Sequence, residues 1–207
     1  MLKIYGRANS SNVRKVLWIA DEIGVAYTRE DWGRGFRSTD EPEFKRVSAF
    51  GVVPVVDDDG FVLRESNTIT RYLCTKHGRH DLYPTDLKLR ALVEMWMDWS
   101  SIDLAQGVRP AFLGLVVKSP AFQDPKAIEG GIADWTRQMQ RLDHQLAAHG
   151  PYLAGPALTL ADVPTGIVVN RWYAIAFAKP ALPAVAAYYD RLTERAAYRT
   201  HVRNGTP

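Results

Sequence analysis

Three short polar fragments in the first third of the chain have residue types that suit a small charged ligand. They are Ser10-Ser11-Asn12, Val52-Val53-Pro54 and Glu65-Ser66. The first and third precede helical patterns, and the exposed N–H groups at the start of a helix favour an anion. A hydroxyl in such a place can also donate a hydrogen bond to a thiolate. Together the fragments indicate a site for a small peptide that carries a free amino-acid end and a thiol.

The fragment Glu65-Ser66 matches a free amino-acid end, which carries one positive and one negative charge. The Glu65 carboxylate would face the ammonium group, and the Ser66 hydroxyl and the helix start would receive the carboxylate. Val53, directly before Pro54, would offer its backbone N–H and C=O groups to an extended peptide. A purely structural alternative is that Ser66 caps the helix and Glu65 complements the helix dipole.

Ser11, placed at the start of the first helix, is the expected donor to the thiolate. Asn12 is a second candidate, and Ser10 is a less favoured substitute. A free cysteine thiol has a pKa of about 8.5, and lowering it by about two units requires roughly 2.7 kcal/mol. One hydroxyl donor and a helix start are sufficient for that amount. The alternative is that Ser11 only caps the helix.

Hydrophobic periodicity predicts the elements that hold these fragments. Alternation over Leu2–Tyr5 predicts a strand, and apolar spacing from Val13 to Ile23 predicts a helix that is N-capped by Ser11 or Asn12 and ends at Gly24. The further predictions are strands over 26–32, 53–56 and 61–63 and helices over 43–47 and 66–78. Asp59-Gly60 is a strong hairpin signal. A short crossover between the first two strands predicts that they are parallel.

This order, βαβ-α-ββα with a proline opening the third strand, resembles the thioredoxin-like fold. In that fold the residue before the proline has a cis peptide bond and faces the ligand. We therefore expect the Val53–Pro54 bond to be cis, although most X–Pro bonds are trans. The alternative is an ordinary proline on an edge strand.

Strand patterns stop after residue 83, and long apolar patterns at helical spacing follow. We predict an α/β domain over 1–80, a linker over 81–86 and an all-helical domain over 87–207. Thr159 and Asp162 have the spacing of a capping box. The residues of the helical part that could border an apolar substrate pocket are Trp99, Arg109, Phe112 and Trp172. Arg109, expected among apolar neighbours in a helix, would need a partner such as a carboxylate of a substrate or of the peptide ligand.

Composition limits the classes of function. A hydrophobic content of 46% with 24% charged residues is typical of an ordinary globular chain. A net charge of +3 with scattered Lys and Arg argues against a nucleic-acid partner. There is no apolar run of about 18 residues and no signal-peptide pattern, so we expect a cytoplasmic protein without a membrane partner. The five histidines lack zinc spacing, so no metal is expected. Cys74 is expected to be a packed core thiol.

Four motifs in order resemble the bacterial glutathione S-transferases of the serine-type group (theta, beta and nu-like). They are Tyr5-Gly6-Arg7-x-x-Ser10-Ser11-Asn12-x-x-Lys15-Val16, Gly51-x-Val53-Pro54-Val55, Glu65-Ser66-Asn67 and Thr159-Leu160-Ala161-Asp162. The resemblance covers essentially the whole chain. It implies a thioredoxin-like glutathione-binding domain, a helical domain that completes the electrophile site, and a homodimer. Glutathione would be the co-substrate, with Ser11 and Asn12 catalytic and with Ser10, Val53, Pro54, Glu65 and Ser66 binding the peptide.

Two other functions remain open at this stage. An isomerase of the maleylacetoacetate type shares the Ser-Ser opening, but its usual cysteine and arginine are here Asn12 and Lys15 or Arg14. A non-catalytic glutathione-binding module would keep the fold. The chain also departs from the family at Ser48-Ala49-Phe50-Gly51, where many relatives have Asn-Pro before the glycine. The glycine carboxylate of glutathione then lacks an evident partner, for which Arg34 and Arg37 are candidates.

Overall fold

The computed structural model describes residues 1–207, and its strands form one mixed sheet. The strands are β1 (Leu2–Tyr5), β2 (Tyr27–Glu30), β3 (Val55–Asp58) and β4 (Phe61–Arg64), in the order β2-β1-β3-β4. β2 runs parallel to β1 as predicted, and β3 runs antiparallel to both β1 and β4. Tyr5 is opposite Glu30 and Val55, and Val55 is opposite Arg64. The ends of β1, β2 and β4 and the start of β3 therefore lie along one edge of the sheet, here called the Tyr5 edge.

The helices of the first part are α1 (Ser11–Glu22), α2 (Pro42–Val47) and α3 (Ser66–Lys76). α1 begins one residue earlier than the periodicity suggested, because its N-cap is Ser10 and not Ser11 or Asn12. Gly24 has a φ of +72° directly after the helix, which confirms the predicted end. The thioredoxin-like order βαβ-α-ββα is thus confirmed.

The hairpin between β3 and β4 follows from its two turn residues. Asp59 and Gly60 have φ values of +52° and +91°, so both lie in the left-handed region that the short hairpin loop requires. The Gly60 N–H also donates to Oδ1 of Asp57 at 2.7 Å. The turn signal in the sequence correctly predicted the pairing of these strands.

Residues after 83 form helices and no strand. They are α4 (Leu87–Trp99), α5 (Ala105–Leu115), α6 (Pro125–His149), α7 (Asp162–Ala174), α8 (Pro183–Thr193) and α9 (Ala196–His201). A π-helical turn over Ser100–Leu104 joins α4 to α5. Trp135, Trp172 and Phe177 form an aromatic core with ring centroids 5.1–5.5 Å apart. None of the helices is long and apolar enough to cross a membrane.

The chain divides into two compact units: Met1–Tyr83 with Arg195–Thr206, and Pro84–Glu194 with Pro207. The sequence-based division differs at the C-terminus, since it placed all of 87–207 in the helical domain. Residues 195–206 belong to the first unit because they pack on α1. The fully buried Arg14 guanidinium donates to the backbone carbonyls of His201, Val202 and Thr206, and Trp18 packs edge-on against Tyr198 at 4.8 Å.

Asp162, at the start of α7, is the polar centre of the second unit. Its carboxylate accepts hydrogen bonds from the backbone N–H groups of Leu153 (3.0 Å) and Thr159 (2.9 Å) and from the Tyr188 hydroxyl (3.0 Å). The predicted capping box is therefore half formed. The Asp162 carboxylate accepts from the Thr159 N–H, but the Thr159 hydroxyl accepts from the N–H of Ala161 and not from that of Asp162. Burial raises the pKa of Asp162 to about 6, because its effect is larger than that of the hydrogen bonds, which lower the pKa.

This raised pKa predicts a specific pH dependence of stability. Between about pH 4 and pH 6 the folded chain binds the Asp162 proton more tightly than the unfolded chain, so stability should fall as the pH rises. The fall should reach up to about 3 kcal/mol and should be absent from Asp162→Asn. Urea unfolding of both proteins across this range measures the difference. If the difference in unfolding free energy between the wild type and Asp162→Asn does not change with pH, the raised pKa of Asp162 is contradicted.

Candidate functional site

The Tyr5 edge brings together the three polar fragments identified in the sequence. Ser10–Asn12 follow β1, Val53–Pro54 precede β3, and Glu65–Ser66 follow β4. Because all three strand ends lie at this edge, the fragments are neighbours in space although they span more than 50 residues of sequence. The predicted constellation is thus assembled within the first unit.

Gly6 allows the fragments to approach one another closely. Its φ is +148°, and a Cβ atom there would lie only 2.5 Å from Cγ2 of Val13 and 3.1 Å from Cβ of Val53. Any side chain at this position would therefore separate the first turn of α1 from Val53. Below them, Tyr5, Trp32, Phe44 and Val55 form a buried cluster against which Val53 packs. The sequence identified Gly6 only as part of the motif that begins at Tyr5.

Val53 presents unused backbone groups. The Val53–Pro54 peptide is cis, as expected from the order of elements. The N–H and C=O groups of Val53 form no hydrogen bond within the chain. Since backbone polar groups away from water are almost always paired, this half-buried residue can pair with an extended peptide.

Glu65 has an unusual backbone conformation at the start of α3. Its φ of +72° lies in the left-handed region, which a non-glycine residue seldom adopts and which commonly marks functional sites. Its exposed carboxylate pairs with Arg64 at 2.7 Å. Ser66 follows as the first residue of α3 and is only 7% exposed. The free N–H groups of this helix start and the Ser66 side chain therefore lie beside a carboxylate, as a zwitterionic amino-acid end requires.

The three donor candidates on α1 differ in their surroundings. Ser10 is 9% exposed, has extended backbone angles at the N-cap and makes no capping hydrogen bond with its side chain. Ser11 is half-buried in the first turn, and Asn12 is exposed. The hydroxyls of Ser10 and Ser11 have no partner within the chain. An N-cap side chain lies over the free N–H groups of its helix, so Ser10 has the more favourable position for donating to an anion there.

The side chain of Lys15 is almost buried. It is 9% exposed, and its Nζ lies 3.4 Å from Oδ1 of Asn67, in the first turn of α3. This places a positive charge between α1 and α3, close to Ser66. The charge adds to the preference of this helix start for an anion.

The predicted pocket residues in the helical unit are not equivalent. Trp172 is buried in the core against Trp135, so it does not border an open pocket. Arg109 is exposed, with its guanidinium 5.7 Å from the Phe122 ring, so the expectation that it lies buried among apolar neighbours was wrong, and a contact with a ligand carboxylate stays a prediction. Trp99 and Phe112 are half-buried, the first packed on Trp96 and the second covered by Arg171. The pocket for an electrophile stays a prediction.

Arg37 and Cys74 are both committed to structural contacts. Arg37 pairs with Glu41 and Glu43, and its guanidinium stacks 3.9 Å from the Trp32 ring, so it is not free for a ligand carboxylate. Cys74 is fully buried, and burial raises the pKa of its thiol to about 12. This confirms the prediction of an inert core thiol.

Comparison with known proteins gives consistent matches. A family model described as glutathione S-transferase, N-terminal domain, matches residues 9–76. Glutathione S-transferase GstB of Escherichia coli K12 is 30% identical over 201 residues, which cover 96% of each chain. The theta class glutathione S-transferase of Xanthomonas axonopodis pv. citri, solved with glutathione bound, is 39% identical with a TM-score of 0.91 over 97% of this chain and 96% of that chain.

The matches also include proteins of another class. Probable elongation factor 1-gamma 2 of Arabidopsis thaliana is 28% identical over 92% of this chain. The aligned part is 46% of that longer protein. The matched region is therefore one part of a longer protein in that case.

Proposed function

This chain belongs to the glutathione S-transferase family and is a glutathione transferase, and we propose that its Tyr5 edge activates the thiol of glutathione for attack on a small hydrophobic electrophile. The observation that carries the proposal is the convergence at this edge of two helix starts, the unpaired Val53 backbone and the Glu65 carboxylate. Each of these matches one part of the tripeptide.

The binding mode follows from the charges. The γ-glutamyl carboxylate would accept hydrogen bonds from Ser66 and the N–H groups of α3, and the ammonium group would face Glu65. The cysteinyl unit would pair with the N–H and C=O groups of Val53 as an added strand does. This arrangement directs the sulfur toward the start of α1.

The serine pair would then stabilise the thiolate. Ser10 is the favoured donor because it is the N-cap and is nearly buried, and Ser11 is the second candidate. The thiol proton passes to water, and the sulfur lone pair forms the bond to the electrophilic carbon while the leaving group departs with its bonding electrons. A hydrogen bond to a charged group contributes about 1.5–3 kcal/mol, enough to lower the thiol pKa by about one to two units.

Turnover and retention together test this function. The purified protein should be retained on immobilised glutathione and should conjugate glutathione to an aryl chloride. If the protein is retained but conjugates no electrophile, a non-catalytic glutathione-binding module would be favoured. Absence of both would contradict the proposal.

We propose a homodimer in the cytoplasm as the working form. β4 is an edge strand whose Phe61 and Val62 are 51% and 42% exposed. An exposed edge strand with apolar side chains can pair with another chain. A second copy of the chain is the partner that would cover them.

The mass in solution tests the dimer. Light scattering should give twice the chain mass for the wild type, and Phe61→Glu should give the monomer because it places a charge in the contact. Circular dichroism should show that the variant keeps its helices. A monomeric wild type, or a dimeric Phe61→Glu, would contradict this surface.

A further inference from the structure

Residues 195–206, here called the C-terminal segment, pack along one face of α1. Arg14, Trp18 and Glu22 all contact this segment. They are spaced four residues apart, so they form one stripe along the helix. At the far end of the stripe the Glu22 carboxylate accepts from Nε of Arg195 at 3.1 Å. The segment therefore contacts α1 from its first turn to its last residue.

Arg14 connects the C-terminal segment to the N-cap of α1. Its guanidinium is fully buried and donates to the backbone carbonyls of His201 (2.7 Å), Val202 and Thr206 (2.8 Å). The planar guanidinium carries its donors in fixed directions, so these bonds define the position of the side chain. The backbone N–H of Arg14 donates to the carbonyl of Ser10 at 2.9 Å. One residue thus joins the segment to the residue that precedes the helix.

The Ser10 hydroxyl depends on the backbone of α1 for its position. Ser10 is 9% exposed, and its side chain makes no capping hydrogen bond. Its carbonyl accepts from Arg14, and its own N–H donates to the carbonyl of Arg7 at 3.1 Å. A hydrogen bond weakens steeply with distance and angle, and a shift of about 1 Å in a reacting group can cost about 100-fold in rate. Small movements of the N-cap would therefore affect a thiolate bound there.

We propose that Arg14 is a positioning residue for the thiolate: by joining the C-terminal segment to the N-cap, it holds the Ser10 hydroxyl within hydrogen-bond distance of the glutathione sulfur. The inference rests on the proposed function, in which a serine at this helix start donates to the sulfur. The guanidinium of Arg14 is fully buried against the segment, so it acts through Ser10 and not by touching the ligand. The C-terminal segment would then serve catalysis as well as stability.

Titration of bound glutathione in folded Arg14→Met is the first test. The pKa of the bound thiol should rise by about one unit, the lower end of the effect of one hydrogen bond to a charged group. The kcat at about pH 6.5 should fall about fivefold with the thiolate fraction. The KM for glutathione should stay within about twofold, because the contacts proposed at Val53, Glu65 and Ser66 remain. Circular dichroism at low temperature verifies that the variant is folded.

Leu73→Ala is the control for lowered stability alone. Leu73 is fully buried near the end of α3, away from Ser66, so its truncation leaves a cavity far from the thiol site. The urea midpoint should fall in Leu73→Ala as in Arg14→Met. The pKa of the bound thiol should stay at the wild-type value in Leu73→Ala only.

A double-mutant cycle separates positioning from charge. Loss of a positive charge near the sulfur would by itself raise the thiol pKa. Arg14→Met is therefore also introduced into the Ser10→Ala, Ser11→Ala double variant. If Arg14 acts through a serine hydroxyl, it should cause no further rise there. An equal rise with and without the serines would overturn the proposal, and so would a wild-type thiol pKa in folded Arg14→Met.

Glu22→Gln decides the question if Arg14→Met does not fold. This change weakens the pair with Arg195 and so loosens the C-terminal segment while Arg14 remains. Loss of a negative charge would by itself lower the thiol pKa. A rise of a few tenths of a unit would therefore support displacement of the donor, and a fall or no change would overturn the proposal. A wild type without turnover, or with the thiol pKa of free cysteine, fails differently, since it rejects the proposed function itself.

Discussion

Replacing Ser10 with alanine is expected to reduce the conjugation rate with saturating glutathione by up to about 50-fold at about pH 6.5. If the pKa of the bound thiol rises from about 6.5 to about 8.5, the thiolate fraction at that pH falls from about one half to about one per cent. The rate falls in proportion because only the thiolate attacks. Affinity for glutathione should change much less, since the peptide contacts at Val53, Glu65 and Ser66 remain.

Ser11→Ala is the matched control for this variant. It removes a neighbouring hydroxyl that is not at the N-cap. We expect its conjugation rate to stay within about threefold of the wild type, a smaller reduction than the loss of a hydrogen bond to a charged group would cause. A large loss in Ser11→Ala with none in Ser10→Ala would return the donor role to Ser11. Unchanged rates in both variants and in the double variant would reject a serine donor.

Arg14→Met is expected to lower the free energy of unfolding by about 3–5 kcal/mol. The guanidinium is fully buried and donates to three backbone carbonyls of the C-terminal segment, so its removal leaves buried acceptors unpaired. The same contacts fix residues 195–206 on α1, the helix that carries the serines. Urea unfolding measures the loss, and hydrogen exchange should show faster opening of these residues.

The control for this change is Arg141→Met. Arg141 is exposed on α6, so its replacement should alter stability by no more than about 0.5 kcal/mol. A loss below about 1 kcal/mol in Arg14→Met, or unchanged exchange in the C-terminal segment, would show that the guanidinium does not hold this segment in place.

Local signals made the first unit largely predictable. Asp59-Gly60 requires left-handed angles that only a few residues adopt, so the hairpin could be read from two residues. The parallel pairing of β1 and β2 followed from a crossover that is long enough for one helix. The N-cap was misplaced by one residue, because Ser10, Ser11 and Asn12 are all good capping residues.

Contacts between residues far apart in sequence were not predictable in this way. In the sequence, Arg14 has the position of a polar residue on an amphipathic helix. Its partner His201 lies 187 residues away, so no local pattern indicates the contact. For the same reason the C-terminal segment was assigned to the helical domain.

The candidate site was also predictable only where local residue types carried the signal. The polar fragments were visible because their residue types match a zwitterionic peptide with a thiol. The positive φ of Glu65 and the close contacts around Gly6 depend on how separate segments meet at the Tyr5 edge. A glycine directly after the first strand was the only signal for those contacts.

Titration of the sulfur of bound glutathione tests the central claim most directly. The ultraviolet absorbance of the thiolate, followed from acid to alkaline pH with saturating glutathione, should give a pKa of about 6.5 for the wild type and about 8.5 for Ser10→Ala. A wild-type value near that of free cysteine, or equal values in the wild type and the Ser10→Ala, Ser11→Ala double variant, would contradict thiolate stabilisation by a hydroxyl at the start of α1.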